Sequence, residues 1–293
     1  MTTSTIALGH LLDDGASDRR RRRSELVWVA LCAIGSALVV ATLVLIIGCV
    51  AANGIAAISA TFLTQGVVDY DQGGALFAIL GTLQLVPLAA ALAAPIGILA
   101  GMFLAEKRNS RVARVVRVAA ETMSGLPTII VGIFVFTIIV APTGQYSAGA
   151  GIIALAIIML PVITRSVEEI LLLVPGSVRE ASLALGIPAW RTSVSVVVRT
   201  ALAGVLTAVM LGVSRGAAET ASLVLTAYGG GQAGNFGDLG SPTDSLPTFI
   251  YANSNSPDPV LVTQAWGASL VLLVFVLALN LLVRNRSIGR RAI

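Results

Sequence analysis

The chain has 293 residues, of which 56% are hydrophobic and only 12% are charged, and its formal net charge is +4. A soluble domain usually carries about 25% charged residues, so this composition excludes an ordinary soluble protein and predicts an all-α integral membrane protein. The excess of basic residues fits contact with anionic membrane lipid and does not indicate a nucleic-acid partner.

Six apolar segments follow a polar tail, residues 1–25, that ends in a run of five arginines. The first segment, 26–51, is too long for the apolar part of a signal peptide and suits a tilted spanning helix, so we expect a non-cleaved first span. The chain then divides into the tail 1–25, a membrane domain 26–283 and a basic tail 284–293. The other five predicted spans lie near 76–104, 118–141, 148–170, 201–227 and 260–283.

The lysines and arginines separate cleanly between the connections of these spans. Eighteen of the 19 lie in the N-terminal tail, between spans two and three, at or within the link between spans four and five, or after span six. The connections 52–75, 142–147 and 228–259 contain none. Because cations are retained on the cytoplasmic side of a membrane protein, the pattern predicts that both termini are cytoplasmic.

The segment 171–200 is the predicted cytoplasmic coupling segment, and Val178–Arg199 is its most polar part. We expect a short helix over Arg179–Leu185, ended by Gly186 in the left-handed conformation that favours glycine. Pro188 then suits the first turn of a second helix that begins near Ala189. Two short helices that meet at a glycine would form a compact protruding knob; the alternative is a plain surface loop.

The nineteenth cation, Arg215, falls inside the fifth predicted span, and Glu219 follows it by four residues. An ionisable residue inside a membrane is costly and is by default a candidate functional residue. Residues four apart share one helix face, so this pair can neutralise itself in a cavity. The alternative is a buried ion pair that only fixes helix packing.

Small residues recur every four positions on the same predicted span, at Gly204, Ala208, Gly212 and Gly216. This spacing lets two membrane helices approach closely. The sequence leaves two neighbours open for the stripe: another helix of the same chain, or a partner permease.

An ATP site and an enzyme site are both missing from the sequence. The one lysine, Lys107, follows Glu106 and not a glycine, so there is no phosphate-binding loop. There is one histidine, His10, and no metal-ligand cluster or nucleophile–base pair. We therefore expect a transport subunit without a cofactor of its own, with ATP and Mg bound by a partner ATPase.

Five motifs resemble those of PstA-type permeases, which are subunits of bacterial phosphate ABC importers. Glu180-Ala181-Ser182 with Gly186 is similar to the EAA loop, which docks into the ATPase, although Ser182 replaces an alanine and the closing proline of the motif is absent. The other four motifs occur in the family's order and cover roughly residues 74 to 283. They are Gly125–Gly132, Leu160–Glu169, Arg215–Ala221 and Leu246–Tyr251.

The resemblance implies the type I ABC importer permease fold, with six transmembrane helices in the bacterial plasma (inner) membrane. It also implies a PstC-type permease partner, a dimeric ATP-binding subunit and a periplasmic or lipid-anchored phosphate-binding protein. The substrate, inorganic phosphate, would contact Arg215, Glu219 and, by its motif match, Arg165. ATPase coupling would rest on Glu180, Ala181 and Gly186.

Three other functions remain open at this point. The chain could be a permease for another oxyanion, such as molybdate or sulfate. It could be a secondary transporter or channel that works without an ATPase, which the EAA-like segment argues against. It could also be a membrane scaffold that reports phosphate status to a sensor kinase, alongside transport. For Arg165, an ordinary cytoplasmic arginine at a helix end is the alternative to a substrate contact.

Overall fold

The structure, a computed structural model, describes residues 4–66, 73–230 and 236–288, with side chains for 24–66, 73–230 and 236–281. Every regular element in these ranges is a helix, which confirms the predicted all-α class. The arginines of both predicted tails lie outside the residues with described side chains. The main helices are α1 (Ser4–Gly54), α2 (Ala60–Thr64), α3 (Leu76–Glu106), α4 (Arg111–Gly125), α5 (Thr128–Val135), α6 (Ala148–Leu172), α7 (Gly176–Ala184), α8 (Ala189–Arg191), α9 (Leu202–Ala217), α10 (Ala221–Thr226), α11 (Leu246–Asn253) and α12 (Pro259–Ile288). Shorter π-helical and α-helical segments continue α5 as far as Thr143 and α8 as far as Thr200.

Within these ranges, four continuous helical stretches are long and apolar enough to cross a membrane. They are Ser24–Ala57, Leu76–Glu106, Ala148–Leu172 and Pro259–Leu281. Two more candidates are bent pairs of helices, with angles of 101° between α4 and Thr128–Thr143 and of 80° between Ala189–Thr200 and α9. If each bent pair is one crossing, the total is six, the predicted number, although the second pair includes Ala189–Thr200, which the sequence assigned to the coupling segment.

The chain forms two compact units, Met1–Ala52 and Asn53–Ile293. The first unit is most of α1, whose apolar side chains, Leu38 and Leu45 among them, are exposed. An exposed apolar surface of this length suits the hydrocarbon interior of a bilayer.

Helix α6 is the centre of the second unit. Its side chains Leu155, Met159 and Ile163 are fully buried, and glycines of the flanking helices pack against it. A β-carbon added to Gly97 of α3 would lie 2.8 Å from Ile163 Cγ2, and one added to Gly212 of α9 would lie 2.5 Å from Ile163 Cγ1. Both neighbouring backbones therefore approach α6 more closely than any side chain would permit.

The small-residue stripe of α9 faces α6 of the same chain. An added β-carbon at Gly204 would meet Ile170 Cγ2 at 2.6 Å, and one at Gly216 would meet Met159 Cε at 2.1 Å. Of the two neighbours that the sequence left open, the structure selects the helix of the same chain.

The third predicted span, 118–141, is wrong as one continuous helix. Its first eight residues belong to α4, and the chain then bends through Leu126 and Pro127 before α5 begins. Leu126 is extended, with φ −72° and ψ 136°, because a residue before proline is disfavoured in the helical conformation. The bend leaves α4 as a separate helix with an arginine at every third position, 111, 114 and 117, in its first half.

The fifth predicted span, 201–227, is also interrupted. Helix α9 ends at Ala217, and α10 begins at Ala221. The break places α10 against α5 so closely that a β-carbon on Gly132 would lie 2.9 Å from the Cα of Ser222. Residues 218–220 contain no proline or glycine, so the sequence did not mark the break at these positions.

The motif Leu246–Tyr251 forms the start of α11 on the polar segment 228–259. The hydroxyl of Ser245 and that of Thr248 form a reciprocal capping box, and the backbone N–H of Leu246 donates to Thr82 Oγ1 at 2.8 Å. The motif therefore anchors the segment to α3.

A buried carboxylate precedes this anchor. Asp244 is 2% exposed, and its Oδ1 accepts the N–H of Gly229 at 3.1 Å. Burial raises the pKa of the Tyr228 hydroxyl, and the negative charge of Asp244 raises it further.

Candidate functional site

Three of the resembling motifs meet at one cavity of about 270 Å³ between α4, α5, α6 and α9. Thr128 and Val131 come from the motif 125–132, and Pro161 comes from the motif 160–169. Arg215 comes from the motif 215–221 and is the one charged side chain in the wall, as far as the described residues go. Segments far apart in the sequence therefore contribute to one wall that contains a single cation.

Arg215 and Glu219 form the predicted ion pair. Arg215 Nη2 lies 3.3 Å from Glu219 Oε1, with the arginine side chain 51% exposed and the glutamate 8% exposed. Glu219 lies just beyond the end of α9, where its backbone N–H donates to the carbonyl of Gly216 at 3.1 Å. The pair thus forms across a helix end, and Glu219 holds one side of the guanidinium while the other side stays accessible.

Arg165 lies one helical turn beyond Pro161, in a cluster of charges between α4 and α6. Its Nη1 donates to Glu168 Oε2 at 2.6 Å, and its Nη2 lies 3.3 Å from Glu121 Oε1 and 4.0 Å from Glu169 Oε1. It is not part of the cavity wall that contains Arg215. The structure therefore places Arg165 among carboxylates and does not bring it together with Arg215 in one wall.

The same cluster contains a contact that the sequence did not predict. Glu168 is only 3% exposed, and its Oε1 accepts from Arg117 Nη2 at 2.6 Å and Nε at 3.0 Å. One buried carboxylate thus holds two guanidinium groups from two helices. The regular cation spacing of α4, with arginines at 111, 114 and 117, was the available signal, but it does not indicate which arginine turns inward.

The coupling segment has the predicted shape. Helix α7 begins at Gly176, three residues before the predicted start, and ends before Gly186, whose φ is +78°. Helix α8 begins after Pro188. Glu180, Ala181 and Gly186 are all exposed and are therefore available to a partner.

Ser182, the position that departs from the resembling motif, is 5% exposed. Its hydroxyl makes a hydrogen bond of 2.9 Å with the buried hydroxyl of Thr192. The serine thereby ties the helix before Gly186 to the helix after it. Sequence comparison alone had marked this residue only as a departure from the pattern.

The described part of the chain contains no group of three His, Cys, Asp or Glu side chains that could hold a metal ion. The cavity itself offers one charged side chain, Arg215, and mostly apolar walls. It can attract an anion with a half-exposed guanidinium and exclude bulk water with its apolar walls.

Comparisons with known proteins agree with this architecture. Residues 97–285 match the family described as the binding-protein-dependent transport system inner membrane component. The phosphate transport system permease protein PstA of Pasteurella multocida (strain Pm70) is 38% identical over 234 residues, which are 79% of this chain and 83% of the relative. PstA of Xylella fastidiosa (strain Temecula1) is 40% identical over 223 residues, 74% of this chain and 77% of the relative.

A similar protein also occurs in Mycobacterium tuberculosis (strain H37Rv), where phosphate transport system permease protein PstA 1 is 37% identical and the match covers 75% of this chain and 72% of the relative. Among solved structures, a chain of the MetNI methionine ABC transporter in an inward-facing conformation superposes with a TM-score of 0.62. That match has 19% identity and covers 72% of this chain and 94% of the MetNI chain, so it bears on the fold alone.

Proposed function

We propose a function from one premise: the chain belongs to the family of binding-protein-dependent transport permeases, and within it to the PstA-type subunits. On this premise it is the membrane permease subunit of an ATP-driven inorganic phosphate importer and forms half of the translocation path. One observation in the structure carries the proposal, namely that three separated motifs surround a cavity whose charged wall residue is Arg215.

The partners of the complex follow from the family and from what the chain lacks. A second, PstC-type permease would complete the path, and a dimeric ATPase subunit would bind ATP and Mg. An external phosphate-binding protein would deliver the substrate. The distribution of cations in the sequence supports a bacterial plasma-membrane location with both termini in the cytoplasm.

Arg215 is the proposed phosphate contact. Phosphate at neutral pH is largely a dianion, and its passage through a membrane needs a fixed cation. A guanidinium stays charged when it is buried and can grip two oxygens at once. The half-exposed Arg215 side chain, held on one side by Glu219 at 3.3 Å, has donors left for such a grip.

Glu219 has two proposed roles. It neutralises Arg215 when the path is empty, which avoids a bare charge inside the membrane. It also accepts a hydrogen bond from the proton of monohydrogen phosphate, which sulfate lacks at neutral pH, so an acceptor there disfavours sulfate.

Arg165 stays a proposed second phosphate contact nearer the cytoplasm. Its ion pairs with Glu168 and Glu121 favour the alternative, in which it holds α4 against α6. A substrate role would require phosphate to compete with these carboxylates.

The exposed segment around Glu180, Ala181 and Gly186 is the proposed coupling element. ATP binding and hydrolysis in the partner would move this knob, and the attached helices α6 and α9 would rock with it. Arg215 lies on α9, so the movement would reach the substrate contact directly.

Uptake of labelled phosphate by the co-expressed complex in proteoliposomes tests the proposal. Arg215→Lys keeps the charge but loses the two-pronged grip, so we expect roughly a tenfold or greater fall in ATP-dependent uptake, with assembly and basal ATPase retained. Arg114→Lys, an exposed arginine of α4, is the matched control. Unchanged uptake in Arg215→Lys would refute the substrate role, and uptake of molybdate or sulfate in place of phosphate would refute the assigned substrate.

A further inference from the structure

We propose that the hydroxyl of Thr128 is a second polar contact for the transported phosphate, in the wall of the same cavity as Arg215. The inference rests on the proposed function and extends it, because it names a substrate contact that lies outside the Arg215–Glu219 pair and the Arg165 cluster.

The composition of the cavity wall limits what the anion can bind. The wall is apolar except for Arg215, Ser124 and Thr128. A tetrahedral oxyanion has several acceptor oxygens, and an acceptor that loses water without gaining a donor costs free energy. The hydrogen-bond donors that the side chains of this cavity wall offer in place of water are therefore one guanidinium and two hydroxyls.

The Thr128 hydroxyl is also available, unlike most hydroxyls in the helices. Thr122, Thr137 and Thr207 each donate to the carbonyl oxygen four residues earlier, at 2.8 to 2.9 Å. Thr128 is the first residue of α5, and the bend at Leu126 and Pro127 removes the helical turn that would supply such a carbonyl. Within the described ranges its hydroxyl makes no hydrogen bond, so its proton and lone pairs are left for the cavity.

Thr128 is a better candidate than Ser124 because of its position and stiffness. Thr128 is partly buried, whereas Ser124, in the last turn of α4, is exposed. The branched β-carbon of threonine also restricts its side-chain rotation, so the hydroxyl loses less entropy when it binds. Bulk water competes less strongly for a partly buried hydroxyl than for an exposed one.

A hydroxyl also suits the substrate chemically. Arg215 can only donate hydrogen bonds, whereas a hydroxyl can donate to a P–O⁻ oxygen or accept from a P–OH group. Thr128 can therefore contact phosphate in either of its protonation states near neutral pH. Arg215 on α9 and Thr128 on α5 would then bind the same anion. The two helices belong to different bent pairs.

The test compares phosphate uptake by Thr128→Val with that of the parent in the reconstituted complex, at a saturating concentration of binding protein loaded with phosphate. Valine keeps the shape of threonine and removes the hydroxyl. Hydrogen bonds to charged groups are strong enough that their loss lowers a rate by about tenfold to a hundredfold, so we expect a fall of that size in phosphate uptake. Thr128→Ser should restore at least half of the parent rate, since it returns the hydroxyl.

Thr137→Val is the matched control, because Thr137 lies in the π-helical segment Phe136–Val140, outside the cavity wall, and donates its hydroxyl to the carbonyl oxygen of Ile133. It should transport at the parent rate. Basal ATPase activity and melting temperature should not differ among the variants, which separates a substrate contact from a structural role. If valine at position 128 prevents assembly, Thr128→Ala against Thr128→Ser gives the same comparison.

Two outcomes would overturn the inference separately from the proposed function. If the parent complex transports phosphate and Thr128→Val transports equally well, Thr128 is not a contact, and the proposed function stands. A Thr128→Ser variant as poor as Thr128→Val would likewise overturn it. If the parent complex transports another oxyanion and no phosphate, the proposed function fails, and the role of Thr128 toward phosphate fails with it.

Discussion

Replacing Glu168 with glutamine should destabilise the protein strongly, because this carboxylate is buried between two guanidinium groups. One of its oxygens accepts two N–H groups of Arg117, and the other accepts Arg165 Nη1 at 2.6 Å. Glutamine keeps the shape but loses the charge, and its NH2 group would point at one of the two donors. Arg117 or Arg165 would then face a donor instead of an acceptor.

The size of the effect follows from burial. Removing one partner of a buried ion pair costs about 3–5 kcal/mol. Here the carboxylate is 3% exposed, but Arg117 and Arg165 are 26% and 29% exposed, so water screens part of the loss. We therefore expect about 2–3 kcal/mol, which corresponds to a fall of roughly 5 °C or more in the melting temperature.

The assay is thermal unfolding of the purified complex, with Glu169→Gln as the control. Glu169 is 70% exposed and lies 4.0 Å from Arg165, so its loss should cost less than about 1 kcal/mol. A Glu168→Gln protein that melts with the parent would refute the reasoning.

The same variants decide the role of Arg165. If Arg165 mainly serves Glu168, then Arg165→Gln combined with Glu168→Gln should be no less stable than Glu168→Gln alone, because both changes break one cluster. If Arg165 contacts phosphate, Arg165→Gln should lose uptake by more than its loss of stability explains.

Two further predictions concern coupling and selectivity. Gly186→Val should uncouple ATP hydrolysis from phosphate uptake, because φ is +78° there and a side chain in this conformation costs about 1–2 kcal/mol. The measure is phosphate uptake per ATP hydrolysed, and Gly176→Val is the control at a position without this constraint. Normal coupling in Gly186→Val would remove the coupling role. Glu219→Gln should let sulfate compete about tenfold better with phosphate, measured as inhibition of labelled phosphate uptake. Equal inhibition in the parent and the variant would contradict the role of Glu219 as an acceptor.

The candidate functional residues fall into two groups by how they were found. Gly186 and the Arg215–Glu219 pair were predicted from short sequence intervals, and the structure has the left-handed glycine and the ion pair where they were expected. The roles proposed for Thr128 and Glu168 depend on neighbours far along the chain. Glu168 meets Arg117 across 51 positions, and no periodicity in the sequence indicates that pairing.

The sequence by itself determined the membrane class, the number of apolar segments and the turn at Gly186. These properties depend on the transfer of side chains out of water and on backbone preferences, which act within one helix or one turn. Tertiary structure alone decided that span 201–227 breaks after Ala217, that the small residues of α9 face α6, and that Thr128 and Arg215 share a cavity. Each of these depends on which distant surfaces come into contact, because close packing selects one arrangement among several that local preferences allow equally.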